Sequence, residues 1–186
     1  MPKLIFRRSW LYDEALIRER DFKMPSDTIL NAYLRKIERE WKKQGARILK
    51  EVARVTKLEW REKEIVIYIT AGVYPYSDPM TLNPRSSIHT LSHELIHRIL
   101  SEPENREKIK KNWAKLMKKY KGEVQKTKTH IIIHAIHAPI LKKLFGENVL
   151  NKEKKEIPDP RYLRSWEIVD RDGYKKILEE LTQGLQ

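Results

Sequence analysis

The chain of 186 residues contains no cysteine. That excludes disulfides, a cysteine-ligated zinc ribbon and a thiol nucleophile, and it leaves histidine and carboxylate side chains to hold any metal. It also fits a cytoplasmic setting. Long apolar runs are missing too: the longest, IVIYITAGVY at residues 65–74, falls well short of the ~20 residues of a membrane span. The amino terminus MPKLIFRRSW has no apolar signal-peptide core. The expectation is a soluble, unexported protein with no membrane association. Internal repeats, low-complexity tracts and obvious linkers are absent as well, and the length suits one domain with a real core better than two.

Acidic residues are in short supply. There are 26 Asp and Glu against 39 Lys and Arg, a formal charge of +13, with charged residues making up 35% of the chain. Such a balance favours acidic partners, nucleic acid first among them. The competing reading is a solvated, thermophile-type surface rich in Lys, Arg, Glu and Ile. More than half of the excess lies in residues 98–128, where eleven basic residues face four acidic ones and Trp113 and Tyr120 interleave with the charges. This segment is the candidate nucleic-acid contact, or else a solvated helix with Trp113 in the core.

Periodicity then places the elements. Ser26 caps a helix whose stripe is Leu30, Tyr33, Leu34, Ile37 and Trp41. Gly45 interrupts it, and helical spacing resumes at Ile48, Leu49, Val52 and Val55. Residues 65–74 alternate and are rich in β-branched and aromatic side chains, the best strand in the chain. Three prolines follow within YPYSDPMTLNPRS, so the chain turns before a helix opening near Ser86 or Ser87 and stopping before Pro103. A basic amphipathic helix over 104–120 is expected to bury Ile109, Trp113, Leu116 and Met117. Another runs from Thr127 or Thr129 to about Phe145 around Pro139, and two short helices hinge at Gly173.

The six histidines occur only in SIHTLSHELIH, residues 87–97, and THIIIHAIH, residues 129–137. At about 100° per residue, His89, His93 and His97 share one narrow arc while Ile88, Leu91, Leu95 and Ile99 take the opposite side. Histidines one turn apart can bring two imidazoles to a single tetrahedral ion, and Glu94 stands beside that arc, close enough to polarise a water. This is the HExxH arrangement, and Zn2+ is the expected cofactor. His89 lies one turn early and reads as a neighbour of the site. A catalytic zinc takes three protein ligands and keeps one open position. In the second cluster His130, His134 and His137 share a stripe set away from Ile132, Ile133, Ile136 and Ile140, so this helix is expected to bury one face and offer histidines on another. His134 sits mid-stripe and is the first choice of third ligand, with His137 and His130 behind it. His137 could instead donate a hydrogen bond to a developing oxyanion. Glu167 in RSWEIVD is the rival third ligand, or a partner for Arg161, Arg164 or Lys175. Asp170 could fix a histidine or cap a turn.

With HELIH behind a strand and a proline-containing turn, residues 64–100 resemble the zincin metallopeptidases, especially the minigluzincin, SprT and ImmA/IrrE types. The resemblance implies zinc ligation by His93 and His97, Glu94 as general base, and an extended peptide substrate lying along the segment 65–74. No third histidine follows HELIH closely, and Glu167 is followed by Asp170 at three residues rather than four, so the subfamily stays open. The implied fold is α+β: a mainly helical zincin-like single domain over 1–186, with a small sheet whose edge strand precedes the HExxH helix. Its parts are a helical scaffold at 1–60, the strand and HExxH helix at 64–100, and a helical part at 104–186 supplying the third ligand. The implied function is a zinc metallopeptidase acting on a protein or peptide substrate. Tyr74 and Tyr76 are candidate substrate contacts, and Tyr74, Tyr76 and Tyr162 are further candidates for the oxyanion. The alternative is a nucleic-acid-associated or regulatory zincin-like protein acting on DNA-bound or single partner proteins.

Overall fold

Alternating β-branched residues make Glu64–Ile69 a strand, β2, whose Ile65, Ile67 and Ile69 are buried while the intervening residues are not. The computed structural model describes residues 1–20, 24–155 and 159–185, with all side chains except those of 16–20. It is α+β, mostly helical with one small mixed sheet. The elements are β1 (Lys3–Arg8), α1 (Trp10–Arg20), α2 (Asp27–Thr56), β2, β3 (Tyr76–Ser77), β4 (Met80–Leu82), α3 (Ile88–Ser101), α4 (Pro103–Lys119), α5 (Gln125–Phe145), α6 (Glu147–Lys155), α7 (Pro160–Asp172) and α8 (Tyr174–Thr182). No helix among the described residues is long and apolar enough to cross a membrane.

Two compact units emerge, residues 1–49 with 60–98 and residues 50–59 with 99–186. The first carries the four-stranded sheet in the order β1-β2-β4-β3. β1 and β4 lie parallel to β2, and β3 closes the row antiparallel to β4. The strand expected over 65–74 stops at Ile69, because the backbone leaves the ladder there. Thr70 donates its N–H to Leu82, and Ala71 donates its own to the buried Asp13 carboxylate. β2 is not the edge of the sheet: β1 pairs with it along its whole length, and β4 joins its other side at Tyr68 and Ile69. The edge strand preceding the HExxH helix is β3, which carries Tyr76. Replacing Ile67, fully buried at the sheet centre, with alanine is expected to cost about 2–5 kcal/mol in urea unfolding, from lost transfer energy plus the cavity left behind.

Gly45 does not interrupt α2, which runs unbroken for 30 residues. A Cβ at Gly45 would lie 2.4 Å from the Trp41 ring. The glycine therefore makes room for an indole packed back along its own helix, and that ring meets Phe6 edge-on at 6.4 Å.

In the second unit α5 is the central element, touched by α4, α6, α7 and α8. Its residues from His130 to Ala138 are all buried, as are Ile140 and Leu141. The expected one-sided burial of this helix is corrected: an apolar sequence on every side belongs to a helix surrounded by others. α4 buries Asn105, Ile109, Asn112 and Leu116, leaving Trp113 and Met117 only half-buried. Asn112 is inside because its amide donates to the carbonyls of Leu181 and Gln183, closing the end of α8. Gly173, at φ 82°, makes the expected hinge between α7 and α8.

Candidate metal centre

The phase of α3 is set at its first turn. The Ser87 hydroxyl oxygen accepts from the N–H groups of His89 and Thr90, and the Thr90 hydroxyl oxygen accepts from the Ser87 N–H, each at 3.1 Å. This reciprocal cap satisfies donors that a helix start leaves open. Leu91, Leu95 and Ile99, one turn apart, are fully buried, which turns His93 and His97 to the half-buried side. Their Nε2 atoms stand 3.2 Å apart. Two ligands bonded to zinc at about 2.0–2.1 Å in tetrahedral geometry would have their nitrogens roughly 3.3–3.4 Å apart. The pair therefore already has the spacing of a shared ion. Arg98, at the end of the same helix, binds Glu62 and Asp78 and donates to the Ser77 carbonyl, fixing the edge strand β3 against the helix that carries the motif.

Glu94 follows His93 and is buried, with 8% of its surface exposed. Burial pushes its carboxyl up to about 8, because a carboxylate without water is costly. A cation beside it would reverse that preference and favour the charged base.

In the second unit the histidine rings are oriented by backbone and hydroxyl groups. His130 donates Nδ1–H to the Lys126 carbonyl at 2.8 Å. A carbonyl can only accept, so the proton sits on Nδ1 and Nε2 carries the lone pair. Burial holds this imidazole down at about 4, so it is neutral at pH 7, the form a metal ligand needs. His134 is held by a different device. Ser165 spends its single hydroxyl hydrogen on the Tyr162 carbonyl at 2.7 Å, so its oxygen accepts Nδ1–H from His134 at 2.8 Å. The His134 ring lies flat on Trp166, 4.1 Å away and 7° from parallel, and Tyr162 covers the His130 ring at 4.2 Å. Histidine ligands are commonly fixed in this way by a hydrogen bond from the other ring nitrogen.

The remaining predicted residues are placed as follows. His137 is buried, 2% exposed, one turn beyond His134 on α5. His89 is half-buried near the start of α3. Glu167 lies exposed on α7 and pairs with Arg164 at 3.1 Å, and Asp170 pairs with Lys154. Tyr74 and Tyr76 are exposed at 72% and 61%. Within the basic segment, Tyr120 is a core residue whose hydroxyl donates to Asp172 at 3.0 Å, so it is not presented for base stacking. Sequence reasoning did not find Ser165 as a histidine partner. Its signal would have been a small polar residue on the apolar side of α7, beside Trp166. Comparison with family models, with curated proteins and with solved structures gave no match.

Proposed function

We propose that His93, His97 and His130 hold one zinc ion and that the chain is a zinc metallopeptidase of zincin type. The observation that carries this reading is the 3.2 Å spacing of the His93 and His97 Nε2 atoms on a helix whose next residue is a buried carboxylate. The donor set fits zinc: three neutral imidazoles and no thiolate form a site for a borderline ion, with one position left for water. Zinc bound there would acidify water to a pKa of about 7 and polarise the carbonyl of a scissile peptide. The chain's own contribution is Glu94, which removes a proton from the attacking water as its oxygen adds to the carbonyl carbon. Glu94 then returns that proton to the leaving nitrogen as the C–N bond breaks. The buried setting of Glu94 keeps bulk water from competing for the proton. In this reading β3 and its exposed Tyr76 form the rail for an extended substrate, with Tyr74 beside it, and His137 or Tyr162 faces the tetrahedral oxygen.

The test is metal content together with peptide hydrolysis. The purified chain is expected to carry one zinc per molecule, to lose cleavage of an unfolded protein substrate on chelation, and to regain it with added zinc. Because a ligand that binds only the folded state stabilises it by mass action, free zinc at about 100 times its Kd should also raise folding stability by roughly 2.7 kcal/mol. That gain is to be read from thermal unfolding with and without chelator. Zinc-bound protein that cleaves no peptide under any condition would remove the catalytic half of the proposal.

A further inference from the structure

Beyond the metal centre, the first unit has a groove of about 450 Å³ lined by Lys3, Leu4, Ile5, Phe6 and Arg7 on one side and by Glu38, Trp41 and Lys42 of α2 on the other. Successive strand residues point to opposite faces of a sheet. A groove lined by five consecutive residues therefore runs along the edge of β1 and not over one face. β1 is the terminal strand of the sheet. Its odd residues face β2, since Lys3 donates to Lys63 and the N–H of Ser9 to Ile69. The alternation of backbone groups then turns the amides of Leu4, Phe6 and Arg8 to the outer edge.

We infer that this edge is a docking site for an extended, acidic segment of a partner protein, which adds to the sheet beside β1. The charges choose the guest. Lys3 and Arg7 stand on one face of the strand, two pleats apart, and Lys42 on the opposite wall, with Glu38 the lone acid. Among the described residues Arg7 and Lys42 carry no ion pair, and the pair Lys3 makes with Glu64 spans 3.8 Å between largely exposed side chains. Exposed pairs of that kind hold little energy against exchange for a better one. A second copy of the chain is a poor occupant. Antiparallel self-pairing of KLIFRR gathers six cationic side chains on one two-stranded ribbon and, when centred on Ile5, sets Lys3 opposite Arg7. Like charges directly across a ladder repel. An acidic strand meets none of this repulsion, and every second side chain of the guest would reach the Trp41 ring.

The experiment uses the full-length chain and a fluorescein-labelled probe, Glu-Val-Glu-Val-Glu-Val-Glu, followed by anisotropy, with the probe verified intact by mass spectrometry. The expected result is saturable binding, weakened at least about tenfold when lysine replaces glutamate in the probe, and likewise in the protein variant carrying Arg7→Glu and Lys42→Glu. Two further probes, N-methylated at the valines or at the glutamates, read the backbone. Loss of binding by one and retention by the other supports strand addition, because only alternate amides of the guest face β1. Binding is expected to survive chelation and Glu94→Gln, which separates this inference from the peptidase reading. It is overturned if the probe does not bind, if the lysine probe binds as well, or if both N-methylated probes bind equally. It is also overturned if oligodeoxythymidylate displaces the probe and loses affinity through the same Arg7 and Lys42 substitutions, which would make the groove a nucleic-acid site.

Discussion

Replacing Glu94 with glutamine is expected to lower turnover by about 10²–10⁴-fold, the range that a positioned general base contributes, while zinc content stays at one per molecule. The substitution is nearly isosteric and keeps a polar group in the same buried place. What it removes is the capacity to take a proton from water and pass it to the leaving nitrogen. Because Glu94 is only 8% exposed and burial already disfavours its charge, the neutral amide should not weaken the metal-free fold. Folding is expected to match that of the parent within experimental error, since a charge that must be buried stabilises nothing by itself. The decisive comparison is therefore single-turnover peptide cleavage against zinc content on the same preparation. Full cleavage by the glutamine variant would sink the mechanism. Loss of cleavage together with loss of zinc would instead place Glu94 in the metal's support and leave the base unassigned.

The readability of this site in the sequence followed the range of the interactions that make it. The α3 signals lie within thirteen residues: a Ser87 cap, an apolar row at Leu91, Leu95 and Ile99, and the paired histidines between them. Each is local, and together they fix which way His93 and His97 point. β2 was legible for the same reason, as an alternation that needs no partner to be seen. β1 was not. KLIFRR has three cationic residues in six and becomes a strand only because Glu64–Ile69, some sixty residues later, supplies a parallel ladder from Lys3 to Arg8. The same non-locality misled the reading of β2 as an edge, since an edge is a property of the sheet order and not of a strand's own residues.

The second histidine cluster shows the limit more sharply. THIIIHAIH announces a helix, and its spacing suggested one apolar side with histidines on the other. Surrounded by four helices, α5 has no solvent side for a stripe to mark, so position along the stripe carried no information about which ring faces a ligand. The distinguishing facts are the partners of each Nδ1: a backbone carbonyl of the same helix for His130, and a hydroxyl on α7 for His134. The first follows from helical geometry, since Lys126 lies one turn earlier. The second depends on Ser165, thirty-one residues away, and no pattern in the sequence reports it.

That difference gives the second large expected effect. Replacing His93, His97 or His130 with alanine should weaken zinc binding by well over a hundredfold, because losing even a residue behind a ligand costs about 10–100-fold and losing the ligand costs more. His134→Ala should retain zinc, with any loss confined to catalysis or stability, and Glu167→Ala should be neutral, since that carboxylate is exposed and held by Arg164 at 3.1 Å. Both buried histidines leave holes when truncated, so far-UV circular dichroism on each variant must accompany the metal assay. Cobalt in place of zinc gives a readout that stability cannot mimic, because its visible spectrum reports the number and kind of nitrogen ligands. A His130→Ala protein that keeps the parent cobalt spectrum, beside a His134→Ala protein that loses it, would make His134 the third ligand and the Ser165 bond its support. The opposite pattern assigns His130 to the ion. It leaves His134, lying flat on Trp166 with Nδ1–H donated to Ser165, as a residue that holds α5 against α7 one helical turn beyond the ligand His130.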